Sequence, residues 1–317
     1  MSAQKPPVED RAQAELLQDL LVKTSRTFAL SIPELPEPTF SEVRIAYLLF
    51  RIADTFEDAT VLWRPEKRLE ALGDFADLLR SPTVERAEEL TGGWIAEPPI
   101  DHDGYVELLR ETPAVIAALL ELSPRAQRAI AHHTIRTTEL MAQFVEHTDE
   151  HGVLQLEGIE RLRDYCYAVA GIVGEMLTEL FVLDREELEP IGEVLRDRAA
   201  LFGEALQLVN ILKDSATDAT EGRNYLPRGV ERAEVFALAR RDLQAAAEYC
   251  RAIQRAGGPD GIVAFTALPV ELAWATLDRV ERKGPGSKIS RPEVFLLHQK
   301  MHRQIAKGRP VLASVIS

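Results

Sequence analysis

Two pairs of aspartates with one shared spacing are the residues in this chain best suited to chemistry. Asp54-Thr-Phe-Glu-Asp58 and Asp214-Ser-Ala-Thr-Asp218 both read D-x-x-x-D. On a helix, i,i+4 spacing stacks the two carboxylates of each pair on one face, where they repel. A cation between them reverses the sign of that interaction. Magnesium takes oxygen ligands and usually binds through one or two carboxylates together with substrate phosphates. Two acidic helix ends facing each other would hold a diphosphate through bridging metal ions and stabilise its departing charge. A solvated acidic face is the ordinary reading of any single pair in a chain with 51 acidic residues. Apolar runs precede both pairs, however: Ala46-Tyr47-Leu48-Leu49-Phe50 and Leu206-Gln207-Leu208-Val209. These helices are therefore expected to be largely buried, and buried aspartates need partners or metals.

Helical periodicity runs through the chain, and strand signals are nearly absent. Leu16, Leu17, Leu20 and Leu21 mark one apolar face, and Leu69, Leu72, Phe75 and Leu79 another. Pro33, Pro36 and Pro38 break the chain before a long helix expected over residues 40–58. Further helices are expected over 162–183, 191–214, 232–256 and 262–282. Residues 92–104 read as a loop, as do 222–227, 257–261 and 284–288, with a weaker break at Gly152 and Gly158. No composition shift or fixed-period repeat divides the chain. One all-α domain over residues 1–317 is the simplest account.

A chain of 317 residues, 46% of them hydrophobic, can bury one large core. The net charge of −14 argues against a nucleic-acid partner, which needs a basic surface. It does not argue against a diphosphate, because a metal ion reverses the local sign. The two cysteines, Cys166 and Cys250, cannot make a disulfide framework, so a reducing, cytoplasmic setting is expected. The N-terminus shows no secretory signal, and no uninterrupted apolar run approaches the ~18 residues of a membrane span. Peripheral contact with a membrane stays open for a protein with an apolar ligand.

Four blocks of sequence resemble squalene and phytoene synthases. Ser25-Arg26-Thr27-Phe28 followed by Tyr47-Leu48-Leu49-Phe50-Arg51-Ile52-Ala53-Asp54 looks like their opening block. The run from Tyr165 to Gly174 (YCYAVAGIVG) looks like their central helix. Residues 206–214 (LQLVNILKD) and 221–227 (EGRNYLP) look like their second aspartate block. The likeness runs in order from Ser25 to Lys288, within a core of about residues 20–290. It implies an all-α isoprenoid synthase fold with helices around a central cavity. It also implies magnesium held by Asp54, Asp58, Asp214 and Asp218, with Asn210 as a further oxygen ligand. Gln207 would line the site, Ser25 and Tyr225 belong to the matching blocks, and Arg26, Arg51 and Arg223 would stand near diphosphate, a task suited to a planar guanidinium. Tyr165 matches a tyrosine with an acid–base role, and Phe28 and Tyr47 match pocket aromatics. Gly171 and Gly174 leave room for hydrocarbon or for close helix packing, of which packing is the better account. Two departures stand out. Lys213 occupies a place often held by arginine, and Ser215-Ala216-Thr217 lacks an acidic residue.

The activity so implied is head-to-head condensation of two prenyl diphosphates. Phe265-Thr266-Ala267-Leu268-Pro269, Ala275-Thr276-Leu277 and Lys288-Ile289 look closer to squalene than to phytoene synthases. That points to farnesyl diphosphate as substrate and to NADPH as a possible cofactor near Phe265 and Lys288. Phytoene, dehydrosqualene or hydroxysqualene formation is the alternative. A head-to-tail synthase or terpene cyclase shares the fold but lacks the 165–174 block. A scaffold protein on this fold would be free to lose the aspartates and arginines that this chain keeps. Two i,i+4 histidine pairs remain, His147/His151, within an H-x-x-E-H run, and His298/His302. The first pair sits in a polar stretch with no obvious third ligand, and the second has no glutamate between its histidines, so no metal role is assigned to either. Glu57 is expected to support the site or to face solvent, and Cys166 to be a small buried residue.

Overall fold

In the computed structural model, which describes residues 11–25, 27–149, 153–220 and 223–313, the 3.6-residue periodicity becomes helix almost throughout. Helices α1 (Arg11–Thr24) and α2 (Phe28–Ser31) and a 3-10 turn (Ile32–Glu34) lead into α3 (Thr39–Glu57). There follow α4 (Pro65–Arg80), α5 (Val84–Ala96), α6 (Asp103–Arg110), α7 (Thr112–Glu121) and α8 (Pro124–Glu146). Strand β1 (Leu154–Glu157) precedes α9 (Gly158–Cys166), a π-helical turn (Tyr167–Gly171) and α10 (Ile172–Asp184). After a 3-10 segment (Glu186–Ile191) come α11 (Gly192–Thr220), strand β2 (Arg223–Arg228), α12 (Arg232–Arg255), α13 (Asp260–Lys283) and α14 (Arg291–Ile305). Buried apolar side chains contributed from α1 through α14 form one contiguous cluster.

Helices α3 and α11 carry the aspartate pairs. Ile45, Leu48, Leu49, Ile52, Ala53 and Phe56 are buried around α3, so its sides pack against neighbours. The Asp58 amide donates to the Asp54 carbonyl at 2.8 Å, closing the last turn of α3 at the second aspartate. Helix α11 lies against the α9–α10 segment with almost no space between the backbones. A Cβ on Gly174 would stand 1.9 Å from the Ala199 carbonyl oxygen, and one on Gly203 would stand 1.9 Å from that of Ala170. Gly174 is therefore a packing glycine, as its sequence context suggests.

The structure corrects several expected boundaries. Residues 92–104 are not one loop: Gly92 and Gly93 lie inside α5, and the connection is Glu97–His102. Residues 223–228 are a strand, paired parallel to β1 with Leu154 opposite Arg223 and Gln155 opposite Asn224. This ladder is too short, and β2 too interrupted by Pro227, to show a period-2 pattern in the sequence. Helix α11 also continues past Asp214 to Thr220, placing both of its aspartates on one helix. By length and mean hydropathy alone, Gly158–Asp184 and Asp260–Lys283 resemble membrane spans, although charged residues interrupt both apolar runs. Both are packed into the core, which is what makes them apolar on most faces: Met176, Leu180, Phe181, Ile262, Val263 and Leu268 are all buried.

One buried carboxyl far from the aspartate pairs makes stability depend on pH. Glu42 on α3 is only 2% exposed and faces Asp184 at the end of α10, whose carboxylate accepts a 2.7 Å bond from Thr39. Burial, then the charge of Asp184 and a hydrogen bond to it, and Glu37, raise the Glu42 carboxyl to about 8, against the opposing pull of Arg185. In the unfolded chain it titrates near 4.5. Between those values the unfolded chain gives up a proton that the folded chain retains, so stability falls as pH rises. Glu42→Gln fixes the neutral form. Its stability relative to wild type should improve between pH 5 and pH 8, by at most about 1.4 kcal/mol per pH unit. Urea unfolding at both pH values measures this, and a gap that does not change with pH would refute the assignment.

Candidate active site

The C-terminal ends of α3 and α11 open onto a cavity of 830 Å³. Its wall includes Asp54, Glu57 and Asp58 from α3, Gln207, Asn210, Lys213, Asp214 and Asp218 from α11, and Arg223 and Tyr225 from β2. Tyr165 closes it from α9, Val169 from the π turn, and Lys23, Ser25 and Phe28 from the α1–α2 region. The i,i+4 arithmetic of the two D-x-x-x-D runs thus delivers all four carboxylates to one space.

Arg223 shows how close the two acidic arms come. Its guanidinium lies 3.2 Å from Asp218 and 3.6 Å from Asp58, one carboxylate from each pair. Arg51 sits 3.2 Å from Asp54. Lys213 sits 3.0 Å from Asp214 and donates to the Asn210 side-chain oxygen at 3.2 Å. Each aspartate is thus already beside a cation. Burial raises the Asp54 carboxyl to about 6, Arg51 partly offsetting this and Asp58 adding to it. Burial also raises Asp218, despite its bond to Arg223. The oxygen-only donor set and the guanidinium already bridging the two arms suit a hard divalent cation.

The apolar side is aromatic. Tyr165 stacks on Tyr225 at 4.7 Å and meets Phe144 edge-on at 5.1 Å. Its hydroxyl donates to Glu57 at 3.4 Å. Burial, with Glu57 adding to it, raises the Tyr165 hydroxyl well above the ordinary range, so it stays a neutral donor. Glu57 itself is buried, and that burial, reinforced by Asp58, raises it to about 8. The π turn begins two residues after Tyr165. Such turns insert an extra residue, rotate the next stretch of helix about its axis, and recur at functional sites.

Not every residue expected at the site is there. Tyr47 does not line the cavity. It stands behind Arg51, accepting from the guanidinium at 3.3 Å, donating to the Thr24 carbonyl at 2.8 Å, and packing on Phe28. Gly171 faces the Tyr167 ring and Glu204 instead of the cavity, because the π turn directs it toward α11. Phe265 is buried against Phe181 in the core, and Lys288 is exposed on the connection before α14, its carbonyl accepting from Arg279. Neither lines the cavity, since the middle of α13 packs inward. Arg26 lies outside the described residues, as do Glu150 and His151 of the first histidine pair. Conversely, Glu57 is a wall residue and not solvent-facing. Tyr105, 5.6 Å over Arg51 and stacked on His102, comes from a stretch partly read as loop. The aromatic and apolar spacing of Tyr105, Leu108 and Leu109 was the available signal for that helix.

A cup of helices with two carboxylate pairs facing each other across its mouth is the architecture of the isoprenoid synthase fold. The fold comparison agrees. A solved structure of TcSQS with the ligand E5700 superposes at a TM-score of 0.76 with 23% identity, covering 94% of this chain and 90% of that one. A squalene synthase of Eremothecium gossypii is 30% identical over 230 residues, which is 71% of this chain and 49% of that protein. A squalene synthase of Botryococcus braunii is 33% identical over 231 residues, 71% of this chain and 45% of that protein. This chain spans about half the length of the curated relatives it matches. The sequence model of the Squalene/phytoene synthase family matches residues 21–296. The chain belongs to the squalene/phytoene synthase family.

Proposed function

We propose that this protein is a prenyltransferase that joins two prenyl diphosphates head to head, taking two farnesyl diphosphates through presqualene diphosphate to squalene and releasing diphosphate. The observation that carries this reading is the convergence of Asp54/Asp58 and Asp214/Asp218 on one cavity, linked by Arg223. Squalene synthases among the relatives and family membership support it.

Asp54, Asp58, Asn210, Asp214 and Asp218 would hold magnesium, which when bound supplies charge neutralisation for the leaving diphosphate. Arg51, Lys213 and Arg223 already stand among these residues and would bind phosphate oxygens, the two guanidiniums in bidentate fashion. Tyr47 and Tyr105 hold the Arg51 side chain in place from either side. Tyr165, neutral and positioned by Glu57 and Tyr225, would hand a proton to or take one from the reacting groups. Phe28, Val169, Ile211 and the stacked tyrosines keep water from the cationic carbon, and aromatic faces stabilise positive charge. The chain would work in the cytoplasm, with peripheral contact to a membrane where the hydrocarbon leaves.

A second reading concerns the last step. Squalene requires hydride from NADPH, whereas phytoene and dehydrosqualene formation ends in proton loss. Phe265 and Lys288, the residues that suggested NADPH, both lie away from the cavity wall. Neither residue adds support for reductant, and a C30 or C40 product made without it is the alternative.

Asp54→Asn or Asp214→Asn should cut turnover by at least ~100-fold at saturating magnesium, since each removes stabilisation worth several kcal/mol. Rates within a few-fold of wild type would end the metal assignment. Tyr165→Phe loses only a hydroxyl and should lower kcat by about 100-fold or more with little change in KM. If kcat holds, Tyr165 packs and does no chemistry. Product analysis with farnesyl or geranylgeranyl diphosphate, with and without NADPH, tests the whole reading. Squalene that rises with NADPH is the expected result. A C30 product indifferent to NADPH supports the second reading, and a preference for the C20 substrate points to phytoene.

A further inference from the structure

Outside the cavity, the fold assembles a second set of potential metal ligands from opposite ends of the chain. Glu34 closes the 3-10 turn Ile32–Glu34, while His298 and His302 sit one turn apart on α14. His298 Nε2 lies 3.1 Å from Glu34 Oε1, His302 Nε2 lies 3.0 Å from the same oxygen, and the two nitrogens are 3.1 Å apart. Among the described residues, this is the cluster of three or more imidazole, thiol or carboxylate ligands whose donor atoms all fall within 4.8 Å of one another. The sequence showed the histidine pair but not Glu34, which is 264 positions away from His298.

The mutual approach of the two nitrogens is the informative distance. Two neutral imidazoles that donate to one carboxylate oxygen place their N–H groups side by side, which is a repulsive arrangement. A metal ion at the centre of the triangle removes those protons and attracts all three atoms. Tetrahedral zinc with bonds of about 2.0–2.1 Å sets its ligand atoms roughly 3.3–3.4 Å apart, so each separation needs to open by only about 0.3 Å. Two imidazoles and one carboxylate are a ligand set used by zinc, and imidazole nitrogen disfavours magnesium. All three side chains are partly exposed, at 25–39% of their surface, so an ion can reach them and water can fill the fourth position.

We propose that Glu34, His298 and His302 form a zinc site that fastens the C-terminal helix to the N-terminal region. The need for a fastening is visible in α14. It begins with a Ser290–Glu293 capping box, but few of its side chains are buried, chiefly Met301 and Ile305, and Phe295 and Leu296 are more than half exposed. Its ties to α13 are ion pairs, from Lys300 to Glu271 at 2.7 Å and from Arg279 to Glu293. The turn bearing Glu34 comes directly after α2, whose Phe28 lines the cavity. Zinc here would connect α14 to the edge of the active site without touching the aspartates.

The test is titration of full-length, chelator-treated protein with Zn2+ alone, by calorimetry, in excess Mg2+ so that the aspartates are occupied. One Zn2+ per chain and a higher melting temperature are expected. His302→Ala and Glu34→Gln should each weaken binding by at least about tenfold, since changes merely adjacent to a metal ligand already cost that much. Co2+ in place of Zn2+ should give visible d–d absorption in wild type that His302→Ala abolishes. Asp54→Asn should leave both signals intact, which separates this site from the magnesium assignment. Absence of stoichiometric binding, or binding and Co2+ absorption unchanged in His302→Ala and Glu34→Gln variants with wild-type circular dichroism, would overturn the proposal.

Discussion

Negative charge concentrated at the C-terminal ends of two helices is what this fold is organised to manage. A helix C-terminus carries about half a negative charge from its unpaired carbonyls. Here α3 ends at Glu57, next to Asp58, and α11 ends two residues after Asp218. Within one pair, stacked carboxylates repel by a few tenths of a kcal/mol on an exposed helix, and by more where burial lowers the dielectric. Two such pairs facing each other add their repulsions in one space. The cavity therefore has to be supplied with cations. Arg51, Lys213 and Arg223 supply part of that charge within the chain, and each stands 3.0–3.6 Å from an aspartate.

Holding the two ends in register falls to the interior, where there is little slack. At Gly174 and Gly203 the backbones of neighbouring helices approach so closely that a single methyl group would overlap a carbonyl oxygen. This fixes α11 against α10 and the π turn, and so fixes Asp214 and Asp218 relative to Tyr165. The β1–β2 ladder does the same for Arg223 and Tyr225 with very few hydrogen-bonded residues. The aromatic stack of Tyr165 on Tyr225 joins these two supports across the apolar side of the cavity.

How legible each feature was in the sequence depends on the range of the interactions concerned. The aspartate pairs, the long helices and the packing role of Gly174 are written in spacings of three to five residues, and these are found where expected. Tyr165, Arg51 and Arg223 were accessible through ordered blocks that resemble a family. The parallel ladder was hidden because β1 and β2 lie about seventy residues apart and neither is long enough to show its own period. Glu57 looked like any acidic residue between two aspartates until its burial under Tyr165 was visible. Phe265 and Lys288 lie away from the cavity wall, because a short likeness in sequence carries no information about which face of α13 turns inward or where the connection after it runs. The Glu34–histidine cluster depends on a contact across most of the chain, and no local pattern could announce it.

Charge counting in the cavity wall bears on what can enter it. Among the described lining residues, Lys23, Arg51, Lys213 and Arg223 oppose Asp54, Glu57, Asp58, Asp214 and Asp218. With Glu57 raised to about 8 and so neutral at pH 7, four cations face four carboxylates, and the wall is close to neutral. A neutral wall has no surplus charge to offer the diphosphates of the proposed prenyl substrates. Their several negative charges would have to bring cations with them, or displace the aspartates from Arg51, Lys213 and Arg223. Divalent ions held by the aspartates would supply that charge and leave Arg51, Lys213 and Arg223 to bind phosphate oxygens. On the proposed function, the ion pairs around the cavity would be the resting arrangement of groups whose partners change when a diphosphate binds. The carboxylates keep the cationic side chains aimed into the cavity until then.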